Sequence, residues 1–209
     1  CVRPASISST WTKGVNNVTA GSGSIVSSDD EALILVDDED NEVGFLNKAD
    51  CHIGDGILHR AFSVFLFDDA GRLLLQQRAS GKPLWPLYWS NTCCSHPRRG
   101  ETLEIATARR LQDELGTTSD HEHVYRFSYH APFGELGSER ELCHVFLCRL
   151  AGEPAAHPTE IAATRYLTAD ELDRELATDS TAFTPWFKLE WQHLREEYVS
   201  MLARYLAPA

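Results

Sequence analysis

Between Arg60 and Arg78 the chain writes a strand, a tight turn and a returning strand. This constrains the fold more than any other stretch. Arg60-Ala-Phe-Ser-Val-Phe-Leu-Phe67 is a short apolar run, Asp68-Asp-Ala-Gly71 supplies turn chemistry, and Arg72 to Arg78 reads as the return. Around it lie a strand over Glu31 to Val36 with a turn at Asp37 to Asn41, and strands over Val124 to His130 and Glu141 to Leu150. Helices are fewer. Glu101 to Leu115 stops at Gly116, a residue suited to ending a helix. Thr168 caps a short helix, and Trp186 to Tyr205 has helical apolar spacing. Strands interleaved with few helices predict an α+β fold, a mixed sheet flanked by helices. No internal repeat interrupts it.

At 209 residues the chain fits one domain with a full core. The first 28 residues are rich in Ser, Thr, Gly, Asn and Val and hold no Asp or Glu. Residues 1–30 therefore read as a flexible N-terminal extension ahead of a domain over 31–209. A net charge of -12 argues against a nucleic-acid partner, which needs a basic face, and against an anionic membrane surface. An anionic substrate then requires local Lys, Arg or metal ions. The six Cys form no CxxC pair and no dense framework, which predicts a reducing compartment, the cytoplasm. No run approaches the ~20 apolar residues of a membrane span.

Several residues could carry chemistry. His52 and His59 lie seven apart, and His96 follows Cys94 by two. Glu139 and Glu141 alternate at a strand start, so both carboxylates share one face. Three imidazoles and two carboxylates suit a five- or six-coordinate divalent ion such as Mn²⁺, Zn²⁺ or Fe²⁺. Each His alone is equally a surface or core residue, and His121, His123, His157 and His193 are read that way. Arg110 and Glu114 share a helix face at i, i+4. They are either a surface ion pair or a cation ligand with a basic neighbour facing a phosphate. Arg78, Lys82 and Lys48 are phosphate clamps or solvated charges. Cys94 is a buried small side chain or an acid/base thiol. Trp89, Tyr129 and Trp186 line a dry pocket or fill the core.

Glu101, Arg109, Leu111, Asp113, Glu114 and Gly116 resemble a degenerate Nudix box, Gx5Ex7REUxEExGU. Arg110 replaces a Glu, Thr117 the last aliphatic residue and Ser95 the first Gly. The lost Glu puts hydrolysis in doubt, but not Mg²⁺–diphosphate binding. Add Leu46-Asn-Lys48, His52, His59-Arg-Ala-Phe, Gln77-Arg-Ala, Lys82, Trp85-Pro and Glu139-Arg-Glu141. Add also Tyr88-Trp-Ser-Asn-Thr-Cys-Cys-Ser-His-Pro97 and Thr184-Pro-Trp186-Phe. From about Glu31 onward, this set resembles the type I isopentenyl-diphosphate Δ-isomerases, a Nudix-related, metal-dependent family of isoprenoid biosynthesis.

The resemblance implies a Nudix-like fold and a set of roles. His52, His59, His96, Glu139 and Glu141 match the ligands of a tightly bound ion, Mn²⁺ or Zn²⁺. Glu114 matches the carboxylate for Mg²⁺ on the substrate diphosphate. Lys48, Arg78, Lys82 and Arg110 match the diphosphate-binding cations. Cys94 and Glu141 match the acid/base pair on opposite faces of the alkene, Tyr129 the support of that glutamate, and Trp186 the aromatic wall. The partner is then a small prenyl diphosphate, and the protein a monomer or weak dimer. Two other readings compete: a Nudix pyrophosphohydrolase acting on a nucleotide or prenyl diphosphate, and a diphosphate- or metal-binding module without catalysis.

Overall fold

The computed structural model describes residues 26–209. In chain order these form β1 (Ala32–Val36), β2 (Glu42–Asn47), α1 (Lys48–Cys51), β3 (His59–Phe67), β4 (Leu73–Arg78), β5 (Trp89–Ser90) and β6 (Cys93–Ser95). Then follow α2 (Leu103–Leu115), β7 (His121–Pro132), β8 (Ser138–Arg149), β9 (Ile161–Leu167), α3 (Ala169–Thr178), α4 (Pro185–Glu196) and α5 (Val199–Leu206). The architecture is α+β, a mixed sheet with helices on both faces.

Strand β3 is the axis of the sheet. It pairs in parallel with β8 from His59↔Glu141 to Phe67↔Arg149. Its other edge meets β1 at His59, β6 at Phe62 to Val64 and β4 at Phe67. The expected hairpin is therefore real only at its turn. β4 diverges after Leu73 and pairs with β9 and β5 instead. A strand this apolar is one buried on both faces. Ala61, Phe65 and Phe67 pack with Phe187, Trp191, Leu194 and Leu202 of α4 and α5. Phe62, Val64 and Leu66 pack with Ala106, Leu111 and Leu115 of α2.

Helix boundaries follow their caps. Thr102 accepts from the Ile105 N–H, so α2 starts two residues after Glu101, and Gly116 ends it in the left-handed region at φ 62°. Thr168 and Glu171 form a reciprocal capping box on α3. The single helix expected over Trp186 to Tyr205 is two. The path breaks at Glu197 and Tyr198, where the Tyr198 ring stacks 4.6 Å from Tyr125. That contact is tertiary and leaves no mark in the helical spacing. Strands β2, β5, β6 and β9 and helix α1 were also not anticipated. Of the expected N-terminal extension, residues 1–25 lie outside the described residues. Among the described residues, no helix is long and apolar enough to cross a membrane.

Candidate active site

A cavity of about 710 Å³ is lined by side chains from α1, β6, α2, β7, β8 and α4. Every sequence-predicted site residue lines it except His59 and Glu114. Three groups of side chains meet there.

The first is a cage. One ligand atom from each of His52, His59, His96, Glu139 and Glu141 lies within 4.8 Å of every other. His52 Nδ1 donates to the Lys48 carbonyl at 2.6 Å, and His59 Nδ1 to that of Ile57 at 2.7 Å. These bonds fix both Nε2 atoms toward the centre, the usual arrangement of ligand histidines. Glu141 Oε1 stands 2.7 Å from His96 Nε2 and 3.7 Å from His59 Nε2. Among the described residues, buried His59 Nε2 and His96 Nδ1 have no hydrogen-bond partner, while Glu139 Oε2 lies 2.8 Å from His52 Nε2. Burial pushes the His52 imidazole down, but Glu139 and Glu141 outweigh it and lift it to about 9. For His96 burial wins over Glu141, and the ring is held at about 4. The histidines hold Glu141 well below the ordinary carboxylate range despite its burial. Two buried carboxylates facing directed nitrogens and orphaned polar atoms call for a cation. The donor set fits a divalent ion.

The second group is basic. Lys48, Lys82 and Arg110 converge around Glu160. Lys82 Nζ and Arg110 Nη2 both reach Glu160 Oε2, the latter at 3.1 Å. Burial and its two cationic neighbours lower the Lys48 ammonium to about 8. Concentrated positive charge that destabilises itself is ready for an anion. Ser27 accepts a hydrogen bond from Lys48, and Val26 carbonyl one from Arg110 at 3.1 Å. Residues directly before β1 thus belong to this wall.

The third group surrounds the thiol. On β6 the alternation of side chains sends Cys93 into the α2 core and Cys94 toward the cavity. Trp186 Nε1 donates to Cys94 Sγ at 3.2 Å, and Asn91 Oδ1 accepts from it at 2.6 Å. Trp186 stacks on Tyr129 at 6.1 Å, and Tyr129 donates to Glu141 Oε2 at 2.6 Å. Cys94 and Glu141 are therefore bridged by two aromatic rings. Arg78 does not point freely at the cavity. It donates to the Trp85 and Leu84 carbonyls at 3.1 and 2.9 Å, holding a loop in which Trp85 and Leu87 have positive φ. Burial raises the Cys94 thiol to about 12. Ser63, Ser90 and Trp186 surround the sulfur.

Comparison with known proteins decides the family. The NUDIX domain pattern matches residues 57–187. A Photorhabdus laumondii isopentenyl-diphosphate Delta-isomerase 1 is 38% identical, covering 82% of this chain and 99% of its own. One from Nocardia farcinica is 45% identical over 73% of this chain and 87% of its own. One from Schizosaccharomyces pombe is 37% identical over 78% and 81%. This chain belongs to the isopentenyl-diphosphate Δ-isomerase family of NUDIX-domain proteins. Among solved structures, a Deinococcus radiodurans protein matches with TM-score 0.62 at 23% identity, covering 76% of this chain and 96% of its own. A MutT protein from Methanosarcina mazei matches at 0.55 and 13%, covering 68% and 95%. These two show the shared fold.

The box carboxylates of this isomerase-family chain have diverged in use. Glu101 is clamped by Arg109 at 2.8 Å, and Asp113 lies outward, 3.8 Å from the same arginine. Only Glu114 points inward. It accepts from Arg110 Nε at 2.8 Å and Nη2 at 2.5 Å, with Cys93 Sγ at 3.4 Å. The Arg110–Glu114 pair is buried, not the surface pair that spacing alone allowed. Sequence reasoning missed Glu160, Asn91, Ser63 and Glu190. Asn91 lies inside the quoted Cys-Cys motif. The other three carry no local signal: Glu160 directly precedes β9, Ser63 is on β3 and Glu190 on α4.

Proposed function

We propose that this chain interconverts isopentenyl diphosphate and dimethylallyl diphosphate, delivering a proton to one face of the alkene and removing another from the opposite face. The observation that carries this reading is the joint entry of Cys94 and Glu141 into one cavity. They come from β6 and β8, strands on either side of β3, so they approach a bound alkene from two sides. Protonation of an unactivated alkene gives a tertiary carbocation. That intermediate survives only where water is excluded and negative or π charge is near. Trp186, buried and lining the cavity, offers a π face worth ~2 kcal/mol to a desolvated cation. Tyr129 holds Glu141 in direction through its 2.6 Å bond. Lys48, Lys82 and Arg110 would bind the diphosphate, with Arg78 shaping the loop beside it, so remote binding energy orients the reacting carbons.

His52, His59, His96, Glu139 and Glu141 would hold one Mn²⁺ or Zn²⁺, and Glu114 the Mg²⁺ that accompanies the diphosphate. When bound, the caged ion withdraws charge from Glu141 and tunes its acidity. The five described cysteines are all free thiols, in keeping with the cytoplasm. The substrate is the only partner this reading needs, and a monomer or weak dimer suffices.

The test is proton NMR of isopentenyl diphosphate incubated with the protein and Mg²⁺ in D₂O. Dimethylallyl signals should grow and deuterium should enter both isomers. Phosphate or pyrophosphate released faster than the alkenes interconvert would put a hydrolase in place of the isomerase.

A further inference from the structure

Behind the thiol lies a carboxyl that the proposed reaction does not use. Glu190 on α4 is fully buried, one helical turn beyond Trp186, so both side chains face the same part of the sheet. Its neighbours are Ser63 of β3 and Cys143 of β8. Cys143 Sγ lies 3.6 Å from Glu190 Oε1 and 3.5 Å from Ser63 Oγ. Ser63 pairs in register with Cys94, and its Oγ reaches Cys94 Sγ at 3.7 Å. Glu190 Oε2 has no hydrogen-bond partner. Among the described residues, no Lys, Arg or His contributes to its surroundings.

A carboxylate anion at that depth, with no cation and a bare oxygen, is costly. The neutral acid is not. It also has one hydrogen to give. A serine hydroxyl has one hydrogen and two acceptor sites. Beside an anion, Ser63 would turn its hydrogen to the carboxylate. Beside a neutral acid, it accepts the acid's hydrogen and keeps its own for another partner.

We propose that Glu190 is a positioning residue for Cys94: as a neutral acid it donates to Ser63 Oγ, which directs the Ser63 hydrogen at Cys94 Sγ. Ser63 then joins Trp186 Nε1 as a donor to the sulfur, beside the negative charge left there when Cys94 gives its proton to substrate. Burial pushes the Glu190 carboxyl up to about 8, which supports the acid form at neutral pH. The inference rests on the isomerase reading in one respect, that Cys94 is the acid/base thiol.

The test combines kinetics with infrared spectroscopy. Glu190→Leu should lower kcat about 10- to 100-fold, the range for losing a hydrogen bond to a charged group, with KM changed less than about twofold. Ser63→Ala should lose a similar factor, and the double variant should lose little more than either. Glu190→Gln, whose amide also donates, should keep kcat within about threefold. Wild type should show a protonated-carboxyl C=O stretch that Glu190→Gln lacks. Multiplying losses, a loss confined to KM, or no such band overturns the proposal. If Glu190→Leu does not fold, Glu190→Gln and the band decide alone. The band needs no turnover, so a wild type that fails to isomerise would sink the functional reading without touching the protonation state of Glu190.

Discussion

Replacing Arg110 with Met should cost this protein more stability than almost any other single change on its charged surface or in its site. Arg110 is 1% exposed, and Glu114 and Glu160 beside it are 2% and 4% exposed. Its guanidinium donates to Glu114 at 2.5 and 2.8 Å, to Glu160 at 3.1 Å and to the Val26 carbonyl at 3.1 Å. Met keeps most of the apolar stem, so little packing is lost. What remains is a buried Glu114 that, among the described residues, has no other cation paired with it. Breaking a buried pair from one side costs ~3–5 kcal/mol. In a chain of this size each kcal/mol moves the melting temperature ~2–4 °C, so the midpoint should fall by about 6–20 °C. The assay is thermal and urea unfolding in chelator, for wild type, Arg110→Met and Arg110→Met/Glu114→Leu. Removing both charges should restore most of the loss, because the penalty is the unpaired carboxylate and not the missing attraction. A single variant within ~1 kcal/mol of wild type would refute the reasoning, as would a double variant no more stable than the single.

Other outcomes follow from the same geometry. Cys94→Ala should abolish isomerisation while keeping the fold, and Cys93→Ala, whose side chain faces the α2 core, should keep substantial activity; rates and circular dichroism of both decide it. Elemental analysis should find about one transition-metal equivalent per chain, falling in acid as the ligand histidines protonate, and His59→Ala should lose it; an unchanged metal content in that variant would disprove the cage. Glu190 has its folded value near 8 against an ordinary 4.5, so its contribution is full below the ordinary value and is lost as pH rises toward 8. Glu190→Gln should therefore gain on wild type from pH 5 to pH 8, by at most on the order of 4 kcal/mol at ~1.4 kcal/mol per pH unit, and a pH-independent difference in urea midpoints would contradict this. Gly137 has φ +145°, and a Cβ there would stand 2.3 Å from the His52 carbonyl oxygen. Gly137→Ala should lower the melting temperature and the metal affinity together, through His52; a variant with both unchanged would show that the turn relaxes freely.

The sequence by itself determined what local chemistry controls. Gly116 and Thr168 cap helices through bonds to neighbours a few residues away, so the end of α2 and the start of α3 were legible. The turn at Asp68 to Gly71 was legible for the same reason. The period of two on β8 placed Glu139 and Glu141 on one face before any partner was known. Residue identities in the Cys94–His96 and Glu139–Glu141 segments carried the family.

Only the tertiary structure decided what depends on distant partners. The β3–β4 turn did not make a long hairpin because β6 takes the rest of that β3 edge while β9 and β5 take β4, and edge competition is a property of the whole sheet. The helix after Trp186 broke because Tyr198 found Tyr125, 73 residues earlier in the chain. Arg110 and Glu114 could be a surface pair or a buried one at the same spacing, and only the arrival of Glu160 and Val26 settled it. Cys94 could be a core side chain or a cavity thiol at the same place in the sequence, and its surroundings of two hydroxyls and an indole come from distant segments and from its own loop. Spacing records which groups share a face. Burial and charge depend on what the rest of the chain brings against that face.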